Sequence, residues 1–231
     1  MESSPVSTLN NDTLVIAIDG PSGSGKSSVS KAVARELGAV YLDTGAMYRA
    51  ITYSVLAAGT DLSDANAIAQ AVRDAQLEIS VDPDAELVTI GGVDVTAAIR
   101  EPRISEQVSA VATNLEARAE LVRRQQEIIK ANTRIVAEGR DITTVVAPDA
   151  DARILLTASE EARLRRRGLQ LGGSQNDAQL ANQVLARDAK DSTVVNFTQA
   201  ADGVMTVDSS DLDFEQTINA VLDAINTATK N

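Results

Sequence analysis

Apolar and polar positions along this chain switch repeatedly between two periods. Residues 14–19 (LVIAID) form a short, nearly continuous apolar run that stops at a glycine-rich stretch, which predicts a buried strand. In the following KSSVSKAVARELG, Val29, Ala32, Val33 and Leu37 recur at helical spacing, and Gly38 supplies a stop. AVYL (39–42) predicts a second strand. DTGAMYRAITYSVLAAG then predicts a helix with Asp43 or Thr44 as its N-cap and Gly59 at its end. A further helix is expected over residues 65–75 (ANAIAQAVRDA).

The texture then changes. LEISVD (77–82), ELVTI (86–90) and VDV (93–95) alternate with period two and are separated by PDA and GG, the pattern of a small β-meander. Helices resume in ISEQVSAVATN and LEARAELVRRQQEIIKAN, the second supported by Glu120 and Arg124 four residues apart. RIVAE (134–138) and RILLTA (153–158) predict strands. SEEARLRRRGLQL predicts a helix capped by Ser159, GGSQND (172–177) a break, and AQLANQVLARDAKD another helix. VMTVD (204–208) and DFEQTINAVLDAIN (213–226) close the chain as strand and amphipathic helix. Strands alternating with helices imply an α/β fold with a mostly parallel sheet and right-handed crossovers, into which the meander is inserted. One domain over residues 14–231 is expected behind a flexible polar tail, residues 1–13, with the insertion spanning residues 60–105.

Composition narrows the chemistry. The 231 residues include no Cys and no His, so thiolate chemistry and the commonest general base are absent. Two Phe, three Tyr and no Trp leave an aliphatic core and too few aromatic platforms for a single-strand nucleic-acid binder. No apolar run approaches membrane-spanning length, and the first thirteen residues lack the pattern of a signal peptide. The expectation is a cytoplasmic protein with neither a membrane nor a nucleic acid as partner, working as a single chain. The formal net charge is −12, but residues 100–140 carry a balance of +2 between flanks of −8 and −6. Net charge governs solubility and long-range steering, whereas a binding site answers to local charge.

One local site is explicit. Gly20, Pro21, Ser22, Gly23, Ser24, Gly25, Lys26 and Ser27 match G-x-x-x-x-G-K-[ST] between a predicted strand and a predicted helix, and Ser28 follows inside that helix. The glycines let the backbone curl so that successive N–H groups point inward, and the helix adds its positive end. Lys26 reaches the outer phosphates of a nucleoside triphosphate, and the Ser27 hydroxyl is a candidate ligand for Mg²⁺. A GTPase would also carry N-K-x-D, which is absent, and RIVAE matches the acid-terminated strand of motor and transporter ATPases only roughly. A small kinase needs a second anion site and a cationic cover over the moving phosphoryl group. Arg49 and Arg140, the latter just beyond a strand end, are candidates for the anion site. Arg163, Arg166 and Arg167 share one helix face, with Leu164 and Leu171 on another, ahead of a Gly172–Gly173 break. That face reads either as a catalytic cover on a moving lid or as a solvated basic surface.

Taken in order, IDGPSGSGKSS, YLDTGAMYRA, EGRDITTVV and ASEEARLRRRGLQL resemble the bacterial cytidylate kinases, a family of nucleoside monophosphate kinases, over residues 14–225. The resemblance implies a P-loop α/β core with an enlarged nucleotide-binding insertion and a helical lid over residues 163–195. It implies phosphorylation of CMP and dCMP by Mg·ATP. Thr44, Arg49 and Arg140 would hold the CMP phosphate, with Tyr48 in the same motif. Ser109, Arg118 and Asp141 would read cytosine, while Asp191 binds the ribose hydroxyls and Arg187 touches phosphate. An acceptor-only Asp141 beside a donor-only Arg118 suits the N4 donor and the N3 and O2 acceptors of cytosine. Asp43 would orient the phosphate-binding groups or a metal-bound water, or act as a plain N-cap. One departure is visible: the family's further lid arginine falls on Val194, which leaves Lys190 as a substitute. The alternatives are a kinase for UMP or another small acceptor, and a non-catalytic ATP-dependent switch.

Overall fold

The computed structural model describes residues 13–170 and 182–230. Five parallel strands form the main sheet in the order β2-β6-β1-β7-β8: β1 Leu14–Asp19, β2 Val40–Asp43, β6 Arg134–Gly139, β7 Ala152–Thr157 and β8 Met205–Asp208. Central β1 pairs Asp19 with Gly139 on one side and Leu155 on the other. The period of two sends its side chains to opposite layers. Ile16 and Ile18 pack with Val136, Ile154 and Leu156 beneath helices α1 (Lys26–Glu36) and α8 (Phe214–Ala228). Ala17, Ile135 and Ala137 face the other layer, with α2 (Thr44–Ala57) and α5 (Leu115–Lys130). Burial on both faces is why these strands read as apolar runs.

The insertion comprises α3 (Ala65–Asp74), an antiparallel sheet of β3 (Leu77–Ile79), β4 (Val88–Ile90) and β5 (Val93–Asp94), and α4 (Pro102–Ala112). It is tied to the main sheet where the edge-strand N–H of Tyr41 donates to the Val81 carbonyl at 2.8 Å. Lys31 on α1 reaches Glu86 at 3.0 Å, and Arg35 reaches Asp84 at 2.7 Å. The small strands are shorter than their alternation predicts, and α4 begins two residues earlier, because Pro102 serves as its first helical residue instead of a break. Asp43 caps α2 by accepting from Ala46 N at 2.8 Å.

Beyond the sheet, α6 (Glu160–Gln170) lies against the glycine-rich loop, with Ser159 accepting from Ala162 N. The helix expected over residues 178–191 is, in its described part, a π-helical turn (Asn182–Ala186) followed by α7 (Arg187–Asp191). Leu171, the Gly172–Gly173 break and the tail before residue 13 lie outside the described residues. Among the described residues no helix is long and apolar enough to cross a membrane.

Candidate functional site

The carboxyl ends of β1, β2 and β6 converge on one cavity of about 950 Å³, walled by α1, α2, α4, α6 and α7 and by the start of α8. This is the crevice where parallel sheets place ligands, because strand ends and helix N-termini meet there. Gly23 and Gly25 hold φ of 79° and 89°, a left-handed backbone that lets the loop turn into α1.

At the loop, Lys26 Nζ stands 4.0 Å from Glu138 Oε2, and the Ser27 hydroxyl donates to Glu138 Oε1 at 2.6 Å. The Tyr41 hydroxyl donates to the same oxygen at 3.2 Å. Burial pushes the Lys26 amine down, and Glu138 opposes that shift. Asp43 and Glu138 are register partners on adjacent strands, so two carboxylates lie side by side. Burial and then the Asp43 charge push Glu138 up. Burial would also raise Asp43, but Arg100 and Arg49 outweigh it and hold Asp43 below its ordinary value. Arg100 donates to Asp43 Oδ2 at 2.9 Å and also pairs with Glu86, joining insertion and core across the cavity.

A cationic group joins Lys26 in the lining. Arg49, Arg140 and Arg187 all line the cavity. The Thr44 hydroxyl is turned to the Glu138 carbonyl at 2.8 Å. Arg140 donates to Asp191 at 2.5 Å, Asp188 at 2.7 Å and Ser22 Oγ at 2.6 Å, with its guanidinium 4.4 Å from the Phe197 ring centre. Arg187 is pulled well down by burial and then by Arg140 and Arg49, and its Nε is buried without a hydrogen-bond partner. Burial and then Arg49 and Arg100 likewise lower Arg167, another lining residue. Closely grouped guanidinium ions that depress one another fit a phosphate anion.

Another part of the lining is less charged. Tyr48, Ser105, Val108 and Ala112 flank the ion pair of Arg118 with Asp141. Arg118 also donates to the Ala112 carbonyl at 3.0 Å, and its guanidinium lies 6.0 Å from the Tyr48 ring centre. Burial raises Asp141 despite Arg118. The Ser109 hydroxyl donates to Asp191 at 2.8 Å and is not among the residues lining this cavity.

The three arginines of α6 do different things. Arg163 donates to the Ser22 carbonyl at 3.0 Å and to Asp188 at 2.5 Å, and it stands behind the loop instead of lining the cavity. Arg166 donates to the Ser24 carbonyl at 3.2 Å and to Ser209 O at 2.6 Å, forming a wall that continues through Leu212 and Phe214. Arg167 lines the cavity, within reach of the charges of Arg49 and Arg100. Lys190, the substitute suggested for the missing lid arginine, is exposed and borders a separate small cleft with Glu106 and Thr193. Sequence reasoning did not single out Tyr41, Arg100, Ser105 or Asp188. It noted Glu138 as the acid that ends RIVAE, a rough match because only Ile135, Val136 and Ala137 precede it as apolar or small residues after Arg134.

Comparisons with known proteins give the family. The family model described as cytidylate kinase matches residues 16–227. The chain is 46% identical over 221 residues to the cytidylate kinase of Cutibacterium acnes, covering 94% of this chain and 98% of the relative. It is 49% identical over 217 residues to that of Nocardia farcinica, covering 91% and 93%. Among solved structures, a gluconokinase from Sinorhizobium meliloti superposes with a TM-score of 0.52 at 14% identity over 96% of this chain and 97% of its own, which shows a shared fold.

Proposed function

Since this chain belongs to the cytidylate kinase family, we propose that it transfers the terminal phosphoryl group of ATP to CMP or dCMP, giving ADP and CDP or dCDP. The observation that carries the reading is the cavity itself: its lining brings Lys26 and the glycine-rich loop together with Arg49, Arg140 and Arg187, and the charges of these arginines reach Lys26. Two phosphate-bearing molecules laid end to end would satisfy both groups.

The residues divide by role. Gly20 to Ser28 cradle the triphosphate, with Lys26 on its outer phosphates and Arg166 walling the end toward α8. Arg49, Arg140, Arg167 and Arg187 hold the acceptor phosphate and spread the charge of the moving group. Asp141 and Arg118 read cytosine, and Asp191 takes the ribose. The acceptor phosphate is already anionic near neutral pH, so no histidine is required as a base. The Ser27 hydroxyl beside the Asp43 and Glu138 carboxylates is a hard-oxygen set that fits Mg²⁺ held largely by phosphate and water. When bound, Mg²⁺ would neutralise charge on the outer ATP phosphates. Arg100 keeps Asp43 ionised for this task, which gives Asp43 a role besides capping α2. A cytoplasmic setting is consistent with a cysteine-free sequence.

ADP production from ATP is measured with CMP, dCMP, UMP, AMP or no acceptor. CMP and dCMP should drive turnover well above the rest. ADP output with CMP no greater than without acceptor would overturn the proposal, and equal turnover with UMP would overturn the base assignment.

A further inference from the structure

Asp19 carries a carboxylate that the proposed chemistry does not use. It ends the central strand, it is only 2% exposed, and it is not among the residues lining the cavity. Its oxygens accept three hydrogen bonds from one segment: Ile142 N at 2.9 Å, Thr143 N at 2.8 Å and Thr143 Oγ1 at 2.6 Å. These donors open the π-helical turn Ile142–Val146, so a carboxylate from a different element caps the turn.

The residue before that turn is Asp141. The Asp141–Ile142 peptide is held at both ends. Its N–H donates to Asp19, and its carbonyl accepts from Val145 N at 2.9 Å and Val146 N at 3.1 Å. Fixing a peptide plane fixes the ψ of the residue before it, here 20° at a φ of −143°. That backbone sets where the Asp141 side chain starts toward Arg118. The anchor is rigid, because Asp19 is paired to β6 and β7 at once.

We propose that Asp19 is a positioning residue for acceptor selection: by clamping Ile142 and Thr143 it aims the Asp141 carboxylate at the pyrimidine, so base discrimination depends on a side chain outside the pocket. The inference rests on the reading that Asp141 meets cytosine. It predicts a signature that a merely structural role would not give. Loss of folded enzyme lowers turnover with every acceptor alike, whereas a misaimed Asp141 changes the ratio of kcat/KM for CMP over UMP, which does not depend on the active fraction.

The test measures that ratio, and KM for ATP, in the unmodified enzyme and in Asp19→Asn, Thr143→Val, Thr143→Ser and Asp141→Ala. Asn presents an N–H₂ toward one of the three donors, and misplacement of a reacting or recognition group by about 1 Å costs up to ~100-fold. The ratio should fall about tenfold in Asp19→Asn with KM for ATP changed less than about twofold. Thr143→Val deletes one of the three donors and should lower the ratio about threefold, with Thr143→Ser restoring it. Thr143→Val carries the test if Asp19→Asn does not fold. An unchanged ratio in Asp19→Asn and Thr143→Val, with selectivity lost in Asp141→Ala, would overturn this proposal alone. Selectivity retained in Asp141→Ala would instead overturn the base-reading role on which it stands.

Discussion

Removing the Asp188 carboxylate should weaken the fold more than any surface charge change, because three groups depend on it. Arg140 donates to it at 2.7 Å, Arg163 at 2.5 Å and the Ser22 N–H at 3.2 Å. All three come from different elements, so Asp188 joins the glycine-rich loop, the end of β6, α6 and α7. Breaking a buried ion pair from one side typically costs about 3–5 kcal/mol, since the remaining charge keeps its desolvation penalty. Both arginines retain partners: Arg140 keeps Asp191 and Ser22 Oγ, and Arg163 keeps the Ser22 carbonyl. That places Asp188→Ala near the lower end, about 3 kcal/mol. Asp188→Asn keeps an acceptor and should lose about 1–2 kcal/mol. Urea unfolding followed by circular dichroism measures both, and for a chain of this size 3 kcal/mol corresponds to about 6–12 °C in Tm. The deficit should shrink in saturating ATP or CMP, whose phosphates supply the missing anion. A loss below about 0.5 kcal/mol with unchanged m-value would refute Asp188 as the pairing centre of the glycine-rich loop, α6 and α7.

Two further outcomes follow from close packing and from linkage. A Cβ added at Gly139 would stand 2.5 Å from Thr44 Oγ1 and 2.8 Å from Ile142 Cδ1, so Gly139→Ala should cost about 1–3 kcal/mol and raise KM for CMP; wild-type stability and KM would contradict it. Burial pushes the Asp19 carboxyl up from 3.8 to about 6, against its hydrogen bonds from Thr143 and Ile142. Between those values the folded state binds more protons than the unfolded chain, so the Asp19 contribution to stability is greatest in acid and falls as pH rises, by up to about 3 kcal/mol. Urea unfolding from about pH 4 to about pH 7 should show the wild type losing about 2.4 kcal/mol against Asp19→Asn, and a pH-independent difference would rule the linkage out.

The two periods of the sequence placed the main elements because each reflects a burial geometry: continuous apolar strands between helix layers, and alternating ones in the insertion. The triphosphate loop was legible for a further reason, namely that all its chemistry lies within eight consecutive residues. The other side of the cavity was legible only through longer motifs. Arg140 and Asp141 stand out in EGRDITTVV, but nothing local to that segment shows that Arg140 pairs with Asp188 and Asp191, or that Asp141 pairs with Arg118. Arg100 lies at the end of the meander, and only the fold of the insertion brings it to Asp43. Arg163, Arg166 and Arg167 share spacing but not surroundings, because α6 runs beside the loop: Arg163 meets the Ser22 carbonyl, Arg166 the Ser24 and Ser209 carbonyls, and Arg167 lines the cavity. Ser109 is turned to Asp191 by a helix contact that no spacing rule encodes.

The acidic excess and the cationic cavity are parts of one device. Arg100 rests on Asp43 and Glu86, Arg140 on Asp188 and Asp191, and Lys26 stands near Glu138. These carboxylates keep guanidinium groups extended and grouped in a low-dielectric crevice where burial and then their mutual repulsion lower Arg187 and Arg167. An incoming phosphate therefore need not gather the positive charge; it shares or takes over partners that are in place, and the ordering cost of several long side chains has been met by folding. The same arrangement limits affinity, because each contact the nucleotide gains is offset in part by an internal pair it weakens. For an enzyme that must release a diphosphate after every turnover, that balance is an advantage, and it accounts for the carboxylates beside Arg100 and Arg140.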